Sequence, residues 1–193
     1  MSETSDLPTT KEGWRKWLEA YEPKAEYPDD AAALECCLLA LEAVETGNFG
    51  IGCVLHDPDG NEIVRGRSNE VFEPYFRSDR HGEMVLMDEF EDRFHHVSSM
   101  KGYTLYTSLE SCPMCMARLI TSGCGTVLYV APDMTGGMVH LRDNLPPVWN
   151  QLIDKRDPPQ VFGQAKCSPE LAQAGHDVFM LSGPDLNQKL IDR

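Results

Sequence analysis

Cys112-Pro113-Met114-Cys115 sets two thiols three positions apart. That spacing suits a zinc half-site, a redox dithiol or two buried small side chains. A strand expected to end at Leu109 and a helix expected to begin near Pro113 put both sulfurs on one face of a first helical turn. The positive end of that helix favours their thiolate form. His81-Gly82-Glu83 stands at a second expected loop-to-helix junction, after the possible capping groups Ser78 and Asp79. Alone, such a histidine reads as a solvated or capping imidazole. Combined with Cys112 and Cys115, His81 offers zinc one nitrogen and two sulfurs, and a tetrahedral ion held by three protein groups keeps a place for water. Open coordination points to catalysis; Cys124 is the nearest competitor for a fourth ligand. Glu83 would point away from the metal on a regular helix, but at an irregular first turn it can lean toward the water as general acid and base. The plainer reading of Glu83 is an acidic residue suited to a helix N-terminus.

The elements that must hold these groups alternate along the chain. Residues 14–21 predict a short helix, stopped by Pro23 and Pro28, and residues 31–44 a longer one with Leu34, Leu38 and Leu41 at helical spacing. Residues 49–55 and 62–66 read as strands around the turn Asp57-Pro58-Asp59-Gly60. A loop, 69–80, delivers His81 to a helix over 81–94; a strand at 103–109, a helix at 112–121 and a strand at 126–131 follow. Beyond, 132–169 is rich in Gly, Pro and charge with one helix near 149–153, then a strand at 176–181 and a terminal helix from Pro184. The alternation predicts a layered α/β sheet, organised as an N-terminal extension over 1–30 and one catalytic domain over 31–193.

Composition narrows the function classes. With 41% hydrophobic and 25% charged residues, and no apolar run near the roughly 20 residues a spanning helix needs, the 193-residue chain reads as globular, with no membrane segment. An acidic N-terminus without an export signal and an odd set of 7 cysteines predict a cytoplasmic location and reduced thiols. The formal charge of -14 opposes the counterion release that drives binding to phosphate backbones, so a free small molecule is favoured over nucleic acid as substrate. A local basic patch remains compatible with that average.

His81-Gly82-Glu83 followed by Ser111-Cys112-Pro113-Met114-Cys115 resembles the zinc deaminase signature of the cytidine deaminase superfamily. Residues 50–55, Asn69, 105–110 and 127–137 are similar to the branch containing tRNA adenosine, cytosine and guanine deaminases, and 176–193 fits it more weakly. The resemblance implies a three-layer α/β/α fold with a mixed sheet of about five strands, a zinc ion as cofactor, and a homodimer. It implies hydrolysis of an exocyclic amine on a small nucleobase or nucleoside, water being the cosubstrate, with ammonia released. By the same resemblance Asn69 would hydrogen-bond the substrate ring, and the backbone around Gly82, Ser111 and Cys112 would line its site. The family usually carries Ala or Val where this chain has Gly82, and Pro where it has Ser111, which can instead cap the helix. Adenosine editing in tRNA is the alternative substrate class, and an inactive zinc-binding module the alternative function. Phe49, Phe72, Tyr75 and Phe76 could stack on a heterocycle, though each also reads as ordinary packing.

Overall fold

A computed structural model of the chain describes residues 7–70 and 75–193. Phe72 therefore lies outside the described residues. The hydrophobic spacing produces α1 (Lys11–Ala20), α2 (Asp30–Glu45), β1 (Gly52–His56), β2 (Glu62–Arg67), α3 (Gly82–Arg93), β3 (Thr104–Leu109), α4 (Pro113–Ser122) and β4 (Thr126–Ala131). They are followed by α5 (Pro147–Asp154), β5 (Val161–Gln164), α6 (Pro169–Met180) and α7 (Gly183–Ile191). The strands form one mixed sheet in the order β2-β1-β3-β4-β5, with β1 antiparallel to both neighbours and β3, β4 and β5 parallel. Helices cover both faces, as the expected α/β/α layering requires. Among the described residues no helix is long and apolar enough to cross a membrane.

Alternation along the strands builds two cores. Val54 and Val130 face α2 and α6, joining Trp14, Leu18, Leu41, Leu171 and Val178. Cys53, Leu55, Leu105 and Val127 face the other way, against Leu86, Met87 and Phe90 of α3 and Leu119 of α4. Gly52 lets β1 lie against α2, where a Cβ would come 2.4 Å from the Cys36 carbonyl oxygen. Gly66 does the same for β2 under the first turn of α3, 2.9 Å from the Gly82 carbonyl. This close packing fixes the start of α3, which carries His81 and Glu83.

The strand expected at 176–181 is instead the last part of α6. Four apolar residues, Val178, Phe179, Met180 and Leu181, are too short a run to distinguish a strand from a helix turn. The helix is set upstream, where Ser168 caps it by accepting from the Leu171 N–H at 3.3 Å and Pro169 occupies its first turn. The fifth strand is β5, an edge strand with exposed ends and no apolar alternation to reveal it. Nor does the first strand begin at Phe49: β1 starts at Gly52 after a tight turn in which the Ile51 N–H donates to the Phe49 carbonyl at 2.8 Å.

A buried carboxylate ties the N-terminal part of the chain to α6. Asp30 is 1% exposed and accepts from the Lys24 N–H at 2.9 Å, the Ser168 N–H at 2.6 Å and the Tyr21 hydroxyl at 2.8 Å. Burial alone would raise its pKa, but these donors outweigh burial and hold it below the usual carboxylate range. Asp30→Ala is expected to cost about 2–4 kcal/mol by leaving buried donors unpaired. Because the folded pKa lies below the unfolded value of about 3.9, the contribution of the carboxylate is present above about pH 4 and lost as pH falls further. Urea midpoints of the wild type and Asp30→Asn should therefore differ near neutrality and converge only as the pH falls through the depressed folded pKa of Asp30.

Candidate metal centre and its cavity

Two helix N-termini meet at one end of the parallel strands. His81 is the N-cap of α3, with φ -63° and ψ 154°, and Cys112 the N-cap of α4, with φ -68° and ψ 168° and Pro113 following it. Extended backbone at both caps turns the His81 and Cys112 side chains out of the helices, while Cys115 sits one turn into α4. His81 Nδ1 lies 3.5 Å from Cys112 Sγ, and one ligand atom from each of His81, Cys112 and Cys115 falls within 4.8 Å of the others. Ser78 and Asp79 do not cap α3, since its N-cap is His81, and Asp79 pairs with Arg77 at 2.8 Å. Arg118 clamps the two helices together: its guanidinium on α4 donates to Asp88 at 2.7 Å, to the Met84 carbonyl at 3.2 Å and to Glu91 at 3.0 Å, all on α3.

The donor set fits zinc. Cys112 shares a proton with Cys115 and faces His81, and these hydrogen bonds take its thiol down to about 4, while Cys115 is pushed well above the usual thiol range. Burial opposes charge on His81, yet the Cys112 sulfur raises its pKa to about 9. A thiolate beside an imidazolium is the protonated form of a cation site, in which protons are exchanged for a divalent ion on binding. Cys124 does not join the group: its thiol donates to the Thr126 carbonyl at 3.4 Å.

Glu83, the second residue of α3, is 3% exposed. Its Oε1 accepts from the Ser111 hydroxyl at 2.9 Å, and its Oε2 has no hydrogen-bond partner among the described residues. Ser111 thus holds the carboxylate rather than capping α4. Burial and the nearby Cys112 sulfur push the Glu83 pKa upward. Gly82 has little room above it, since a Cβ would lie 3.1 Å from Cys53 Sγ and 3.2 Å from the Ile51 carbonyl, so the glycine allows β1 to approach the site closely. Ser111→Ala is expected to lower kcat about tenfold, the worth of one hydrogen bond of about 1.5 kcal/mol to a charged group, with zinc content unchanged. Steady-state rates and metal analysis of the variant would check this.

Above the centre lies a cavity of about 440 Å³ lined by His81, Glu83 and Cys112 together with Phe49, Ile51, Leu109, Glu110, Asp133, Thr135, Gly136, Phe179, Asn187 and Leu190. Glu110 builds one wall by gathering the chain after β4. It accepts from the His140 N–H at 2.8 Å and the Asp133 N–H at 3.1 Å, and it pairs with His140 Nδ1 at 2.8 Å. Asp133 in turn accepts from the Thr135 and Gly136 N–H groups at 3.0 and 2.9 Å. The opposite rim comes from α6 and α7. Asn69 is exposed and stands outside this cavity, beside Leu39, Arg67 and Val85, with its N–H on the Arg80 carbonyl at 2.9 Å. Of the aromatic residues expected near the site, Phe49 lines the cavity, Tyr75 is 62% exposed, and Phe76 lies under the Arg193 guanidinium at 4.7 Å. Glu70 is fully buried within electrostatic reach of His81, and burial lifts its pKa to about 7.

A family model described as the cytidine and deoxycytidylate deaminase zinc-binding region matches residues 27–131. The tRNA-specific adenosine deaminase of Bacillus subtilis (strain 168) is 34% identical over 109 residues, which is 56% of this chain and 65% of that protein. The chloroplastic tRNA(adenine(34)) deaminase of Arabidopsis thaliana is 30% identical over 125 residues, 64% of this chain but 9% of that protein. The chain spans less than two thirds of either curated relative. A solved tRNA:A34 deaminase, from studies of A-to-I editing at the wobble position, superposes with a TM-score of 0.57 at 24% identity, covering 69% of this chain and 96% of that one. Guanine deaminase from Nitrosomonas europaea gives a TM-score of 0.59 at 14% identity, covering 95% and 98%. These two structures share the fold.

Proposed function

We propose, from the premise that this chain belongs to the cytidine and deoxycytidylate deaminase zinc-binding family, that it hydrolyses the exocyclic amine of a small nucleobase, nucleoside or related heterocycle to a carbonyl. The observation that carries this reading is the buried Glu83 carboxylate, held on one oxygen and, among the described residues, unpartnered on the other, beside the candidate zinc ligands His81, Cys112 and Cys115 and lining a cavity. His81, Cys112 and Cys115 would hold the zinc ion, which when bound would supply Lewis acidity that lowers the pKa of water toward about 7. Glu83 takes a proton from the water and delivers it to the leaving nitrogen, so that water and the ring amine become a ring carbonyl and ammonia. Ser111 keeps the carboxylate aimed during both transfers.

The cavity supports a free base or nucleoside as substrate. Its volume falls in the roughly 300–1,000 Å³ range of small-molecule sites. Among the described residues its lining includes Glu83, Glu110 and Asp133 and neither lysine nor arginine, which suits an uncharged, amine-bearing ring better than a phosphate chain. A second reading, adenosine deamination in tRNA, is favoured by the names of the two curated relatives. Incubating zinc-loaded protein with guanine, cytosine, cytidine, adenosine, aminotriazines and an anticodon stem-loop RNA separates them by ammonia release. Turnover of a free compound above the level of Glu83→Ala supports the first reading. Turnover of the RNA alone replaces it with the second, and release from none of them overturns both.

A further inference from the structure

The helices that open on the ligands, α3 and α4, lie on one face of the sheet, where Leu86, Met87 and Phe90 of α3 and Leu119 of α4 bury into a shared core. Apolar burial is non-directional, so it holds both helices down without fixing how far one slides past the other. That offset matters to the metal centre, because His81 caps α3 while Cys112 and Cys115 belong to the start of α4. The polar bonds that set it meet at Asp88. Its Oδ1 accepts from the Arg118 guanidinium of α4 at 2.7 Å, and its Oδ2 accepts from the Arg80 guanidinium at 3.0 Å. Arg80 directly precedes His81, and its backbone is held too: its N–H donates to the Arg77 carbonyl at 3.2 Å and its carbonyl accepts from the Asn69 N–H at 2.9 Å. Arg118 follows Cys115 by one helical turn, and Asp88 follows His81 by about two turns, so each lies on the same side of its helix as a ligand. One carboxylate thus joins the residue before the histidine to the helix that starts with both sulfurs. Glu91 also accepts from Arg118, at 3.0 Å, but among the described residues it has no bond to Arg80.

We propose that Asp88 is a positioning residue for the metal centre, tying Arg80 to Arg118 so that His81 is held at a fixed offset from Cys112 and Cys115. This role rests on the reading of those three side chains as zinc ligands. Asp88 does not line the cavity, and it acts through the chain on either side of the site. Each of its ion pairs is partly exposed and worth little alone, but ligands arranged before the ion arrives lose less freedom on binding it. A carboxylate suits this joint because its two oxygens accept from two guanidiniums at once. An amide accepts through one oxygen and turns its NH2 toward the other cation.

Zinc affinity, measured by competition with a chromophoric chelator, tests this in the full chain and in Asp88→Ala, Asp88→Asn and Glu91→Ala. The wild type is expected to hold one zinc per chain, Asp88→Ala to bind it about three- to tenfold more weakly, and Asp88→Asn to fall between them. Glu91→Ala removes a partner of Arg118 and leaves the link to Arg80 intact, so its affinity should match that of the wild type. A second readout follows the geometry of the ligand set. With cobalt bound in place of zinc, the visible absorption bands should keep their wild-type position and intensity in Glu91→Ala, and shift or weaken in Asp88→Ala. Should Asp88→Ala not fold, Arg80→Ala removes one arm of the link and is read by the same two measurements. Wild-type zinc affinity in folded Asp88→Ala, unchanged cobalt bands in that variant, or a Glu91→Ala as weak as Asp88→Ala would overturn the role of Asp88. A wild type that takes up neither zinc nor cobalt would overturn the underlying reading of the centre instead.

Discussion

Glu83→Gln is expected to lower kcat by about 10²–10⁴-fold while zinc content and thermal stability stay near those of the unaltered protein. The amide keeps the shape of the side chain and can still accept from the Ser111 hydroxyl, now at 2.9 Å from Oε1. What it cannot do is take a proton from water or return one to the leaving nitrogen. Among the described residues lining the cavity no other carboxylate is free to replace it: Glu110 is committed to the His140 and Asp133 backbone amides, and Asp133 to Thr135 and Gly136. The loss should fall on kcat rather than KM, because the missing interaction belongs to the transition state. A variant that retained wild-type kcat would remove Glu83 from the chemistry and leave it as a buried acid at a helix start.

Cys115→Ser is expected to abolish turnover by a different route, through the metal. Cys115 is fully buried in the first turn of α4, and its loss takes one of three protein ligands. The fall in zinc affinity should exceed the roughly 10–100-fold effect of losing an outer partner of a ligand. Zinc stabilises the folded chain by mass action, so a chelator should lower the melting temperature of the wild type and leave that of Cys115→Ser almost unmoved. Cys124→Ala supplies the contrast. That thiol is equally buried but bonded to the Thr126 carbonyl, so its variant should lose packing energy and keep its zinc.

These side chains were legible before the fold because each carries its chemistry in its type and spacing. His81, Cys112 and Cys115 sit at helix starts that the change from loop to apolar periodicity marks, and the structure brings them within reach of one ion. The elements between residues 30 and 131 were equally readable, since their apolar faces repeat at 3.6 or 2 positions. Residues 161–164 were not, because β5 is an edge strand whose pairing with β4 is made by backbone groups that any residue type supplies. The helix over 169–180 was hidden for another reason: its signal was the Ser168-Pro169 start, not the apolar run at its end. The cavity wall was beyond reach of spacing altogether. Glu110 follows directly on β3 and could have been noticed as a charge at the end of an apolar strand, but Phe179, Asn187 and Leu190 join the site only through the packing of α6 and α7. Net charge alone does not decide the substrate class. An average of -14 argued against nucleic acid, yet the curated relatives bear the names of tRNA deaminases, and only the distribution of charge around the cavity bears on that choice.

The most direct test of hydrolysis at this centre is to run the turnover of whichever compound in the panel releases ammonia in water enriched with heavy oxygen, and to weigh the product. Hydrolytic deamination places one solvent oxygen in the new carbonyl for each ammonia released, so the product should be fully labelled in proportion to the solvent, and labelled product should form about 10²–10⁴-fold more slowly with Glu83→Gln. A product without solvent oxygen, or labelled product formed equally by Glu83→Gln, would contradict a water-activating zinc site worked by Glu83.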